Sequence, residues 1–243
     1  MILEVNQVTK RFGGLTAIHD FSLAVAPGEV IGVIGPNGAG KTTLFSLVTG
    51  FQKPDAGLIR FDGRDITAQP PSAICRLGLC RTFQTARPFG GLSVLDNVMV
   101  GGFCHEHDPR QARQRAEDAA HLVGLDARLD EPARNLTIAQ LKRLELARAL
   151  ATGPRLLLLD EMAGGLTPTE VRDLMALITR VRALGITLIL IEHVMRVVME
   201  LATRIAVIAH GEKIADGSPS EVARNPAVIQ AYLGEEYLLA VNR

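Results

Sequence analysis

Apolar and polar positions along the chain follow two rhythms. Over the first thirty residues they alternate. Ile2, Leu3, Val5 and Val8 precede a Phe12-Gly13-Gly14 turn, and Phe21, Leu23 and Val25 share one face after it, a period of two that predicts strands. Pro27-Gly28 closes that stretch, and residues 30–34 form a short apolar strand that runs straight into a glycine-rich loop. Residues 42–48 read as a helix ending at Gly50, and GLIRFDGRDI (57–66) as a hairpin turning at Asp62-Gly63. From residue 156 onward the rhythm changes. LLLLD (156–160) precedes a helix over 168–184, ITLILIE (186–192) one over 194–202, and RIAVIA (204–209) a Gly211 turn and a last strand, KIADG. Strands that are apolar throughout suit a parallel sheet covered by helices on both faces, so the alternation predicts an α/β core.

Between these stretches the pattern is different again. Residues 68–110 hold several Pro and Gly with short apolar pieces between them. RQARQRAEDAAHLV (110–123) is helix-forming, and its charged run 110–118 reads as a solvated face. QLKRLELARALAT (140–152) predicts an amphipathic helix with Leu141, Leu144, Leu146, Ala147 and Leu150 near one side. The middle is therefore expected to be a helical subdomain inserted into a strand-rich frame.

Composition narrows the class. Of 243 residues, 47% are hydrophobic and 21% charged, an ordinary globular balance that excludes disorder and allows one large domain or one with an attached subdomain. Lys+Arg and Asp+Glu both number 26, so the chain lacks the basic surplus of a nucleic-acid coat, and no nucleic-acid partner is expected. A membrane span takes about 18 consecutive apolar residues, and the longest runs here are strand-sized and end in charges. The start, MILEVNQVTKRFGG, lacks the basic-then-apolar order of a secretory signal. Cys75, Cys80 and Cys104 are an odd set without metal-ligand spacing, as expected of small buried or half-buried thiols in a reducing compartment.

Candidate chemistry begins at the glycine-rich loop. Gly35-Pro36-Asn37-Gly38-Ala39-Gly40-Lys41-Thr42 matches G-x-x-x-x-G-K-[ST], with a strand before it and a helix after it. Glycines let the chain curl so that backbone N–H groups converge on phosphate oxygens, and the helix N-terminus adds positive potential. Lys41 would neutralise β/γ-phosphate charge and Thr42 would offer a hydroxyl to Mg²⁺. Downstream, Asp160 and Glu161 end an apolar strand, the edge where open α/β sheets bind ligands. Asp160 could hold Mg²⁺ directly or through water, and Glu161 could polarise the water that attacks the γ-phosphate. His193, just past the next strand, could orient that water or be satisfied locally at a helix start. Gln84, in CRTFQTARPF, could ligate Mg²⁺ or the attacking water, or be a plain loop residue. Arg81 and Arg87 beside it read as partner contacts or solvated loop charges.

Taken together, GPNGAGKTT, Gln84, LTIAQ (136–140), LLLLDE and His193, in that order, resemble the ATP-binding subunits of ABC transporters over essentially the whole chain. RTFQ (81–84), GGLTPTE (164–170), IEHVM (191–195) and the tail from Gly211 to residue 236 are similar to the ATPases of bacterial branched-chain amino-acid importers. The resemblance implies a P-loop NTPase cassette: a parallel-sheet core with an antiparallel N-terminal β-subdomain (1–84 and 154–243) and a helical signature subdomain (85–153). It implies Mg²⁺-dependent ATP hydrolysis and a head-to-tail dimer with a second ATP-binding subunit, identical or not. It adds Phe12 as the ring that stacks on adenine. Pro36 to Thr43 would surround the phosphates, and Thr137, Ala139 and Gln140 would face nucleotide on the other subunit. Gln84 and residues 85–99 would meet transmembrane permease subunits at the cytoplasmic face of the bacterial inner membrane. A periplasmic solute-binding protein would be an indirect partner.

The sequence departs from the family's usual Leu-Ser-Gly-Gly-Gln. Thr137 keeps the hydroxyl and can still cap the following helix, while Ile138 and Ala139 replace glycines and limit how closely the loop approaches a phosphate. Thr167 stands where many relatives carry Asp or Asn. Rival readings are a cassette acting on ribosomes or DNA, and a degenerate nucleotide-sensing module. Urea, other amino acids and lipopolysaccharide stay open as solutes. His105-Glu106-His107-Asp108 reads as an exposed loop and not a metal site.

Overall fold

The computed structural model describes residues 1–84 and 87–232, which fold into two compact units, one of residues 1–71 and 187–232, the other of 72–186.

In the first unit, β1 (Leu3–Phe12) and β2 (Leu15–Val25) form an antiparallel ribbon around the Gly13-Gly14 turn. β4 (Ala56–Phe61) adds to the other edge of β1, and β5 (Arg64–Asp65) closes the expected Asp62-Gly63 hairpin. Period-two alternation buries Leu3 and Val5 in β1 and Phe21, Leu23 and Val25 in β2, and an irregularity between Val5 and Val8, with Gln7 at φ +48°, brings Val8 to the buried face as well. A second set of strands places β3 (Val30–Ile34) between β8 (Thr187–Ile191) and β9 (Arg204–Ala209), both parallel to it. β10 (Glu212–Gly217) returns antiparallel along β9. β3 and β8 are buried at every position, which explains their unbroken apolar runs. α1 (Lys41–Val48) follows β3, α7 (Met195–Leu201) follows β8, and α8 (Pro219–Val222) follows β10. Val198, Ala202, Val222 and Val228 pack with Ile34, Ile205 and Val207, each Val and Ile contributing about 1.5–3 kcal/mol by burial.

In the second unit, β6 (Leu79–Arg81) pairs parallel with β7 (Leu156–Asp160). Helices α2 (Pro71–Arg76), α3 (Val94–Gly102), α4 (Pro109–Leu122), α5 (Ile138–Ala151) and α6 (Pro168–Ala183) complete it. Residues 68–110, read from their Pro and Gly as short pieces, contain α2, β6 and α3; Ser93 accepts from Asp96 N–H and starts α3. α4 behaves as expected, with an alanine stripe (Ala112, Ala116, Ala119, Ala120) buried and its charges outward. α5 does not have one apolar side: Lys142 and Glu145 are buried along with Leu144, Leu146 and Ala147, while Leu141 and Leu150 are only half-buried. Polar partners inside the unit draw both charged side chains inward. Cys75, Cys80 and Cys104 are half-buried free thiols, with Cys75 and Cys104 sulfurs 3.7 Å apart. Burial and the neighbouring Cys75 push the Cys104 thiol up to about 11. Among the described residues no helix is long and apolar enough to cross a membrane, and no group of three or more His, Cys, Asp and Glu residues is arranged to hold a metal ion.

Candidate functional site

The glycine-rich loop joins β3 to α1 and its shape is imposed by close neighbours. Gly35 sits at φ +155°, where a Cβ would lie 1.9 Å from the Ile208 carbonyl oxygen; at Gly40, φ +108°, it would lie 2.4 Å from that of Ala17. Only glycine fits either position. Lys41 opens α1 but folds back, its Nζ donating to the carbonyls of Gly35 (2.6 Å) and Pro36 (2.7 Å), and it is 6% exposed. Three of the loop's expected contact residues, Asn37, Gly38 and Thr42, are exposed, Ala39 is buried, and Thr43 is half-buried. The α1 N-terminus has no side-chain cap, so its first amides are left for other acceptors. Phe12, 44% exposed, ends β1 with the Lys10 ammonium 5.5 Å from its ring centre. His193 is exposed between β8 and α7.

In the second unit, Asp160 and Glu161 end β7 as predicted. Asp160 is 1% exposed, and its Oδ2 accepts from Arg81 at 2.7 Å. Arg81 is thus neither a solvated loop charge nor turned outward: it is half-buried, because β6 runs beside β7 and aims the guanidinium at the carboxylate. Thr82 continues this pairing, its hydroxyl accepting from Asp160 N–H. Asp160 Oδ1 is buried without a hydrogen-bond partner, an acceptor suited to a hard cation. Glu161 holds a backbone conformation rare for a residue with a side chain, φ +49°, and its Oε2 accepts from Gln84 Nε2 at 2.5 Å. Gln84 is itself tied by its carbonyl, which accepts from Lys142 Nζ at 2.8 Å; the same ammonium reaches the Glu161 carbonyl at 3.1 Å. Glu145 accepts from Phe83 N–H, and burial pushes its carboxyl above the usual range.

Lys142 and Glu145 were missed in the sequence. Their one signal is that two charges sit among the apolar residues of LKRLELARAL, at positions that an amphipathic helix would turn inward. Thr137 caps α5, and the capping box closes with Gln140, whose Oε1 accepts from Thr137 N–H at 2.9 Å. Ile138 is 60% exposed and Ala139 half-buried, so the replacements leave an apolar surface where glycines are usual. Thr167 caps α6 in the same way with Glu170. In the His105–Asp108 loop, Glu106 pairs with Arg115 and Asp108 caps α4, which accounts for both acids structurally. The expected permease-facing stretch 85–99 begins at residues 85 and 86, and the tail likeness runs past residue 232; both parts lie outside the described residues.

Two family models match the chain: one described as "ABC transporter" over residues 18–164, the other as "Branched-chain amino acid ATP-binding cassette transporter" over 212–237. The high-affinity branched-chain amino acid transport ATP-binding protein BraF of Pseudomonas aeruginosa is 43% identical, covering 96% of this chain and 98% of its own length. The corresponding LivG of Escherichia coli K12 is 39% identical with the same coverage. Among solved structures, a nucleotide-free ATP-binding cassette from an ABC transporter superposes with a TM-score of 0.87 at 31% identity, covering 95% of this chain and 98% of that one. A cassette structure described as the ADP conformation of MJ1267, an ATP-binding cassette of an ABC transporter, gives 0.87 at 32%, covering 96% and 98%.

Proposed function

The chain belongs to the ATP-binding family of ABC transporters, and from that premise we propose that it powers import of branched-chain amino acids through separate membrane subunits. It is an ATPase subunit: ATP and water become ADP and phosphate. The amino-acid solute is supported by the tail match over 212–237 and by the relatives' names.

The whole chain acts as one cassette, with 1–84 and 154–243 as the nucleotide-binding core and 85–153 as the helical signature part. Amides of Gly35 to Thr43 and the Lys41 ammonium take the phosphates, and the exposed Phe12 ring stacks on adenine. Thr42, Gln84 and Asp160 would hold Mg²⁺. Their hydroxyl, amide and carboxylate oxygens are the donors that ion prefers, and the unpartnered Asp160 Oδ1 fits it. The ion supplies charge neutralisation on the phosphates when bound. Glu161 withdraws a proton from the attacking water while Gln84 and His193 orient it. Thr137, Ala139 and Gln140 face nucleotide on a second ATP-binding subunit. The permease subunits place the chain at the cytoplasmic face of the inner membrane, and a periplasmic protein delivers the solute.

The observation that carries this reading is the Asp160–Glu161 pair, with Gln84 on the Glu161 carboxylate. Glu161→Gln removes the base, and phosphate release by purified protein should fall about 10²- to 10⁴-fold. Wild-type turnover in that variant, or turnover unaffected by chelating Mg²⁺, overturns the assignment. Uptake of labelled leucine, but not urea, by vesicles carrying this chain with its permeases tests the solute.

A further inference from the structure

Hydrolysis depends on where the main chain puts Gln84 and Glu161, and helix α5 reaches both. Lys142 is 6% exposed, and its single ammonium bridges the Gln84 and Glu161 carbonyls, at 2.8 and 3.1 Å. Three residues on, so on the same side of the helix, Glu145 grips the N–H of Phe83, the neighbour of Gln84. A buried ammonium is costly to desolvate, and these partners are what keep it inside. Glu161, at φ +49°, needs outside support for its conformation, and Lys142 binds its own carbonyl.

We infer that Lys142 and Glu145 are positioning residues for ATP hydrolysis, setting the backbone of Gln84 and Glu161 from α5. The same helix begins at the Thr137–Gln140 capping box, little more than one turn from Lys142. A shift of the LTIAQ segment therefore moves the two side chains that hold the hydrolytic pair. The inference rests on the proposed ATPase chemistry and adds a mechanical link to it.

The test compares kcat, KM for ATP and thermal midpoint in purified wild type, Lys142→Met, Lys142→Arg, Glu145→Leu and Glu161→Gln. Lys142→Met keeps the length and removes the donors. Its kcat should fall about tenfold or more, the scale of a sub-ångström misplacement, with KM within about twofold. Lys142→Arg should recover most of the rate, and Glu145→Leu should repeat the kcat defect. The chain has no Trp, so Phe83→Trp gives a single reporter beside Gln84. In that background Lys142→Met should shift the emission maximum, which a general loss of stability short of unfolding does not do. Wild-type kcat in Lys142→Met, or an unmoved reporter, overturns the inference. If Lys142→Met does not fold, wild-type kcat in Glu145→Leu overturns it equally. Should wild type hydrolyse ATP and Glu161→Gln not, the function stands whatever Lys142 does; an inactive wild type overturns the function itself.

Discussion

The glycine-rich loop and the end of β7 are built in opposite ways. In the loop the side-chain tie is local, Lys41 bonding carbonyls five and six residues back, while Ala17 and Ile208 press on its glycines with backbone atoms alone. At the end of β7 the carboxylates are tied from far along the chain. Arg81 reaches Asp160 across 79 positions, Gln84 reaches Glu161 across 77, and Lys142 reaches Gln84 across 58. A site of the first kind is specified by a short word in the sequence. One of the second kind depends on three segments arriving together, so damage at any of them should spread to the others.

That contrast can be broken most forcefully at Arg81. Arg81→Met leaves the Asp160 carboxylate buried without its cation, and unfolding in denaturant should show a loss of about 3–5 kcal/mol. An exposed ion pair such as Arg196–Glu200 should lose less than about 1 kcal/mol when cut by Arg196→Ala.

Within the loop, Gly35→Ala and Gly38→Ala form a finer pair. A Cβ at Gly35 meets the Ile208 carbonyl oxygen, whereas at Gly38 nothing lies within 4 Å. Gly35→Ala should cost about 1–3 kcal/mol or more and weaken ATP binding, measured by calorimetry. Gly38→Ala should cost about 1–2 kcal/mol, the backbone penalty alone. Equal effects would mean that the loop relaxes freely.

The capping box is a smaller lever. Thr137→Ala removes the acceptor for Gln140 N–H and should lower stability by about 1 kcal/mol. If α5 links its cap to the β7 cluster, kcat should fall as well; Thr167→Ala, the matching cut on α6, should leave it less affected.

The smallest effect expected is a pH dependence. Burial holds the Glu145 carboxyl above its usual range, against the Phe83 N–H, Lys142 and Arg148, with Asp160 adding to the rise. The folded chain thus binds that proton more tightly than the unfolded one. The resulting stability is complete below the unfolded value of about 4.3 and is lost as pH climbs through the folded one. Glu145→Gln cannot ionise, so its melting temperature should gain on wild type as pH rises from about 4 to neutrality. A constant difference would place the carboxyl in an ordinary environment.

Much of the fold could be read from the sequence, because its signals are local. Alternation in β1 and β2, uniform apolarity in β3, β7, β8 and β9, and the Asp62-Gly63 turn each report what one segment does by itself. α2, β6 and α3 escaped because they are short and interrupted by Pro and Gly, and β6 becomes a strand by pairing with β7. The candidate site divides along the same line. The loop from Gly35 to Thr43, and the Asp160–Glu161 pair at a strand end, were legible as residue types at fixed spacing. The Arg81 ion pair, the grip of Gln84 on Glu161, and the burial of Lys142 and Glu145 were not.

The chain by itself determined most of the strands and helices and the positions of the glycine-rich loop and the Asp160–Glu161 pair, since those follow from spacing along a few residues. Only the tertiary structure decided which charges are buried and whom they hold. Desolvating an ion is tolerated where partners from other segments meet it, and no local pattern records their arrival.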